Sequence, residues 1–181
     1  MTRGSTPQGA DDRSAPRPTG LPLPTREGAE VELERTVPAA ADRLHGRSRD
    51  RIRALDVLFE ADAKRAEVLD VLEERLRRTA AQSPLPPAAR DLVELYAPHA
   101  IDIDEDLATH SRDWPLHRMP AVDRAILRLG SAEVLYGSDE SPRGAIIGEY
   151  TKIAEVLSTD DSPRFVNGLL QRLADVRGLL S

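Results

Sequence analysis

Four arginines stand at alternate positions, Arg47, Arg49, Arg51 and Arg53, and the chemistry open to such a run is the neutralisation of phosphate by guanidinium groups. If the run is helical, the 100° step sets Arg47 with Arg51 on one flank of the apolar stripe it overlaps, and Arg49 with Arg53 on the other. No single face holds all four. A phosphate backbone is then met by one flank, or by a run whose first residues stay extended. The competing reading pairs these arginines with Asp50, Asp56 and Glu60 on an ordinary solvated helix start.

The other chemical candidates fail on spacing. Asp102-Ile103-Asp104-Glu105-Asp106 begins like a calcium loop, but the sixth and twelfth positions are Leu107 and Asp113 instead of glycine and glutamate. It reads as a solvated helix flank. Asp160-Asp161, just ahead of a helix start, is explained by dipole and capping effects without magnesium. His45, His99, His110 and His117 lack metal-ligand spacing, and the chain carries no GxSxG motif, glycine-rich phosphate loop or P-loop lysine. With no cysteine, disulfides, thiolate zinc sites and cysteine nucleophiles are excluded. The expectation is a non-enzyme without catalytic residues, metal or cofactor. In the last apolar segment, Asn167-Gly168 lowers helix propensity, and close packing against another helix is the plain reason for it. Phe165 is either core or an exposed platform for stacking a base.

The elements that position these residues are helices. Ile52, Leu55, Phe59 and Ala63 recur at steps of three and four, and a second candidate over 66–79 carries Val68, Leu69, Leu72 and Leu76. A third begins near Pro86 or Pro87 and runs through Leu92, Val93 and Tyr96 until Pro98 interrupts it. Helical spacing resumes over 101–110. Pro120 opens a helix with Val122, Ile126, Leu129 and Val134 inward and Gly137 as its stop, which sets Asp123, Arg124 and Arg128 at the border of the stripe as structural charges. Ser141-Pro142 and Ser162-Pro163 read as N-cap serines with proline in the first turn, ahead of helices over 142–157 and 163–176. The fold class is all-α, with six or seven helices and no internal repeat.

Composition agrees. Aromatics make up 3% of the 181 residues and apolar residues 40%, enough for one packed domain. Residues 1–45 hold six of the fourteen prolines with six arginines against seven acids, so they are expected to be a disordered tail ahead of a folded domain over 46–181. No apolar run is long enough for a membrane span and no signal core follows the first residues, as in a cytoplasmic protein. The net charge of -6 repels nucleic acid as a whole, so any nucleic-acid site must be a local patch.

Three stretches together resemble the bacterial NusB family: Arg51-Ile52-Arg53-Ala54-Leu55 leading to Leu58-Phe59-Glu60, Val122-Asp123-Arg124-Ala125-Ile126-Leu127-Arg128, and Asp161-Ser162-Pro163-Arg164-Phe165-Val166-Asn167-Gly168. The resemblance spans about residues 46 to 176, and its third stretch is the most specific. It implies two small packed helical bundles and binding, without catalysis, to the boxA element of nascent transcripts, including those of ribosomal RNA operons. It also implies NusE, a small-subunit ribosomal protein, as partner within the RNA polymerase antitermination complex, and admits a homodimer. The RNA-binding residues it implies are Arg47, Arg49, Arg51, Arg53, Asp161, Arg164 and Phe165. The chain departs from the family at Asp50, at Gly148 before Glu149, at Tyr150 where alanine is usual, and at Glu155. The alternative reading is a protein–protein adaptor on the same fold that has lost boxA binding.

Overall fold

The computed structural model describes residues 44, 46–78, 84–111, 114–138 and 140–178. The proline-rich segment 1–45, apart from Leu44, lies outside the described residues. Seven α-helices occur among the described residues: α1 (Arg47–Lys64), α2 (Val68–Arg78), α3 (Pro87–Tyr96), α4 (Ala100–His110), α5 (Ala121–Tyr136), α6 (Arg143–Leu157) and α7 (Ser162–Val176). Pro98 ends α3 as its position requires: a 3₁₀ turn over Ala97–His99 carries the chain into α4.

The long helix α5 is the axis. Ile126, Leu127, Leu129, Ala132 and Val134 are all buried, and α5 packs against α1 and α3 on one side and α4, α6 and α7 on the other. With α2 closing on α1 and α3, this gives the two small bundles, sharing α5. Each leucine or isoleucine buried along α5 contributes about 1.5–3 kcal/mol. Gly130 makes the crossing possible. A Cβ there would lie 2.9 Å from Leu170 Cδ1 and 3.2 Å from the Tyr150 ring, so α6 and α7 approach α5 against bare backbone. Gly137 ends α5 for a similar reason, since a Cβ would stand 2.3 Å from the Glu133 carbonyl oxygen.

Several expectations need correction. In α1 the buried stripe is Ile52, Leu55, Leu58 and Ala61, whereas Phe59 is half-buried and Ala63 exposed. In α2 the buried residues are Val71 and Leu72, while Leu69 and Leu76 face outward. This short helix packs by one edge, too narrow for four apolar positions. The N-cap of α6 is Pro142, not Ser141, and that of α7 is Asp161, with Ser162 already inside the helix.

Candidate nucleic-acid interface

The start of α1 obeys the 100° geometry and gives its arginines unequal roles. Arg47 and Arg51 face α6, Arg49 is exposed, and Arg53 is half-buried. Arg51 is 5% exposed, which withholds it from phosphate and corrects its expected role. Its Nε donates to Glu133 Oε2 at 2.9 Å, a second guanidinium nitrogen donates to Glu133 Oε1, and its carbon lies 5.5 Å from the Tyr150 ring centre. Glu133 Oε2 also accepts the Tyr150 hydroxyl at 2.8 Å. Burial works against the Arg51 charge, yet the Glu133 hydrogen bonds together with the charges of Tyr150 and Glu133 outweigh it and raise its pKa. Burial and the Glu133 charge push the Tyr150 phenol well above its usual range. Arg51 is therefore a strut between α1, α5 and α6, and it draws its carboxylate from α5, not from Asp50, Asp56 or Glu60. Glu60 is taken by Lys64 and Arg75.

Around this strut, Arg47 donates to the Ser141 hydroxyl at 3.0 Å and stays exposed. The buried Ser48 hydroxyl donates to Glu149, whose other oxygen accepts Lys152 Nζ at 2.9 Å. The hydrogen bond from Ser48, then that from Lys152, holds the Glu149 carboxyl below its ordinary range.

The second cluster lies where α7 begins. Ser162 is fully buried: its hydroxyl donates to Asp123 Oδ2 at 2.9 Å and meets the hydroxyls of Ser158 at 3.0 Å and Thr159 at 2.8 Å. That pins the α6–α7 connection to the first turn of α5. The pin leaves Asp161 and Arg164 exposed and Phe165 half-buried, its ring 5.0 Å from that of Trp114 and inclined at 54°. These residues line a pocket of about 550 Å³ together with Gly168 and Arg172. Close packing does not account for Gly168, contrary to expectation: a Cβ there would meet nothing within 4 Å. Asn167 instead donates to Thr151 Oγ1 at 3.1 Å and ties α7 to α6.

Arg47 thus lies at one end of α6, against Ser141, with Arg49 exposed on the opposite flank of α1, and Asp161, Arg164 and Phe165 lie at the other end of α6. The fifteen residues of α6 put roughly 20 Å between its two ends at 1.5 Å per residue. Spacing gave no hint of Trp114, Gly168, Arg172 or Glu133 as parts of these sites.

Asp123, Arg124 and Arg128 are structural, as their border positions suggested. Arg124 Nε donates to Asp62 Oδ2 at 3.0 Å and its Nη1 to the carbonyls of Leu116 and Met119, both at 3.1 Å. Arg128 binds both oxygens of Asp104 at 2.8 and 2.7 Å and Asp62 Oδ1 at 3.1 Å. Burial pushes the Asp62 carboxyl up, but hydrogen bonds from Arg124 and Arg128 outweigh it and hold the group low. The acid run of α4 therefore serves ion pairs, with Asp106 paired to Arg177, and no group of three His, Cys, Asp or Glu among the described residues could hold a metal ion.

Such a chain is an all-helical protein: a shared central helix, an arginine start on the first helix and an aromatic corner where the last begins. Residues 48–175 match the model of the NusB family. A transcription antitermination protein NusB of Kineococcus radiotolerans is 50% identical over 135 residues, covering 75% of this chain and 97% of that protein. One of Streptomyces coelicolor is 44% identical over 134 residues, covering 72% and 94%. The solved T. maritima NusB superposes with a TM-score of 0.62 at 30% identity, covering 72% of this chain and 92% of that one. A complex titled as antitermination factors NusB and NusE with double-stranded RNA shares the fold, with a TM-score of 0.59 at 24% identity over 72% of this chain and 96% of that one. The chain belongs to the NusB family.

Proposed function

We propose that this chain is an RNA-binding transcription antitermination factor that recognises boxA in nascent transcripts, including those of ribosomal RNA operons, together with NusE and without chemistry of its own. One observation carries the reading. In a chain of net charge -6, Arg51, Arg75, Arg124 and Arg128 are bound to carboxylates within the fold, whereas Arg49 on the flank of α1 opposite Arg47 and Arg164 beside Phe165 at the start of α7 stand exposed. Exposed guanidinium groups hold phosphates and an aromatic ring takes a base, which is how single strands are bound. The relatives, transcription antitermination proteins, and the fold neighbour, NusB and NusE in complex with double-stranded RNA, support the same reading. Action on transcription places the chain in the cytoplasm in this reading; separately, no helix of the described residues is long and apolar enough to cross a membrane.

The adaptor reading has its own support. Between α1, α3 and α5 lies a cleft of about 430 Å³ lined by Leu92, Leu95 and Tyr136 and rimmed by Asp50, Asp91 and Glu140 with Arg47, so that acids outnumber the exposed cation and the surface suits a basic, partly apolar partner. Titrating labelled boxA RNA in low salt with and without NusE separates the two. Saturable binding strengthened by NusE is expected; binding of NusE with no RNA signal in either arm would establish the adaptor.

A further inference from the structure

Where α1 ends, α2 begins and α3 passes into α4, a cavity of about 430 Å³ opens, and neither Arg47, Arg49, Arg164 nor Phe165 lines it. Its volume falls among those of small-ligand sites. Part of its wall is apolar, from Leu58, Ala61, Val68 and Ala100. Tyr96 of α3 also lines it. That residue is 6% exposed, and its hydroxyl has no hydrogen-bond partner among the described residues. A phenol so buried is ordinarily hydrogen-bonded, so its partner is to be sought within the cavity. The hydroxyl faces charges that line the same space. Burial pushes it up to about 12, Arg128 pulls it back, and Asp104, Asp62 and Glu67 add to the rise. Near pH 7 it is therefore neutral, with an oxygen free to accept.

The balance of charge favours a cation. Asp62, Glu67 and Asp104 outnumber Arg65 and Arg128 on the lining, and Arg128 is already bound to both oxygens of Asp104 and to Asp62 Oδ1. Arg128 gives each Asp104 oxygen one donor, which leaves acceptor capacity on a side chain 35% exposed. The end of α1 adds to the acids. Arg65 turns out of the helix at φ 53°, and the N–H groups of Arg65 and Ala66 return to the carbonyls of Asp62 and Ala61, so the negative end of the helix dipole lies against this wall. Lys64, the basic residue of that last turn, is engaged by Glu60 and Glu74. A long aliphatic stem with a charged head is the shape such a cavity suits, apolar along part of its wall and bearing acceptors from three helices. We infer that it takes the ammonium group of a primary alkylamine, a lysine side chain or a free diamine. The stem lies along Leu58, Ala61, Val68 and Ala100, and the three N–H groups are shared among Tyr96, Asp104 and Glu67.

The chain has three tyrosines, so a sample labelled in its tyrosine rings separates Tyr96 from Tyr136 and Tyr150 by nuclear magnetic resonance. The full chain is titrated with cadaverine and, as a neutral match, with pentanol. Cadaverine should shift the Tyr96 ring saturably, and pentanol at the same concentrations should not. Tyr96→Phe removes an oxygen that holds nothing in the fold. It should melt no lower than the parent, keep its boxA affinity and bind cadaverine about 10- to 150-fold more weakly, the range for one hydrogen bond to a charged group, read from the amides of Ala66 and Ala100. NusE separates the sources: displacement of cadaverine from Tyr96 assigns the site to a partner's lysine, and undisturbed cadaverine to a free amine. A Tyr96 ring unshifted by cadaverine, or Tyr96→Phe binding it as tightly as the parent, would overturn the site. The RNA reading stands or falls apart from it, by the boxA affinity of the same samples.

Discussion

Exchanging Arg51 and Glu133 distinguishes a strut from an RNA contact. Arg51 is 5% exposed and bound by two hydrogen bonds to Glu133, whose side chain is 14% exposed and also holds the Tyr150 hydroxyl. Removing either charge strands the other in a mostly buried place, for which the usual loss is about 3–5 kcal/mol; the residual exposure of Glu133 argues for the lower end. Arg51→Met and Glu133→Leu should therefore each destabilise by about 3 kcal/mol. The double variant should lose clearly less than the sum, with a coupling of about 1–3 kcal/mol, because an apolar pair of similar volume tolerates the site. Urea unfolding followed by far-ultraviolet circular dichroism gives the cycle. Arg51→Met should also leave the salt slope of RNA binding unchanged, since the guanidinium does not reach solvent. Additive losses, or a slope flattened by about 0.7 in Arg51→Met alone, would refute the strut and return Arg51 to the phosphate surface.

Acid should weaken the fold through Asp62. Its pKa is depressed in the folded state, so its contribution is complete above the unfolded value of about 3.9 and is lost as pH falls through the folded value; melting temperatures from pH 6 to 2 should drop less steeply in Asp62→Asn, already destabilised at pH 6, than in the parent. Ser162→Ala removes the donor to fully buried Asp123 and should destabilise by about 1.5–3 kcal/mol in denaturant unfolding, with an undiminished midpoint counting against the pin. Gly130→Ala drives a methyl group toward Leu170 and the fixed Tyr150 ring and should lose about 1–3 kcal/mol by thermal melting; a stabilised variant would show that α5 has room to spare. Removing residues 1–43 should leave helicity and melting temperature unchanged, because proline-rich polar sequence offers little to bury.

Much of the frame was legible because it depends on local rules. The stripe of Ile126, Leu129 and Val134 marked the buried face of α5, and the charges at its border proved to be ion pairs because that border is where long side chains reach neighbouring helices. What stayed hidden depends on partners far away in the chain. The 100° step put Arg51 on a flank but not beside Glu133, 82 residues on, and only a carboxylate arriving from α5 decides that it is buried. Tyr150 registered only as a departure from the family, yet it is the phenol that completes that pair against the gap at Gly130. Gly168 was read through its low propensity as a packing glycine, because sequence tells that a side chain is missing and not what fills the space. The start of α7 shifted by a residue because Ser162 bonds to Asp123 instead of capping its own helix.

The central claim is that RNA is held locally by exposed arginines of α1 and of the start of α7, against an acidic chain. The salt dependence of boxA affinity in the presence of saturating NusE tests it most directly. With Arg47, Arg49 and Arg164 each neutralising one phosphate of a single strand, the contribution of this chain to the log-log slope is about -2. Replacing Arg49 and Arg164 together by Gln should flatten the measured slope by about 1.4 without altering the melting temperature. A slope unchanged in that double variant would contradict the account, because the exposed arginines would then not be touching phosphate.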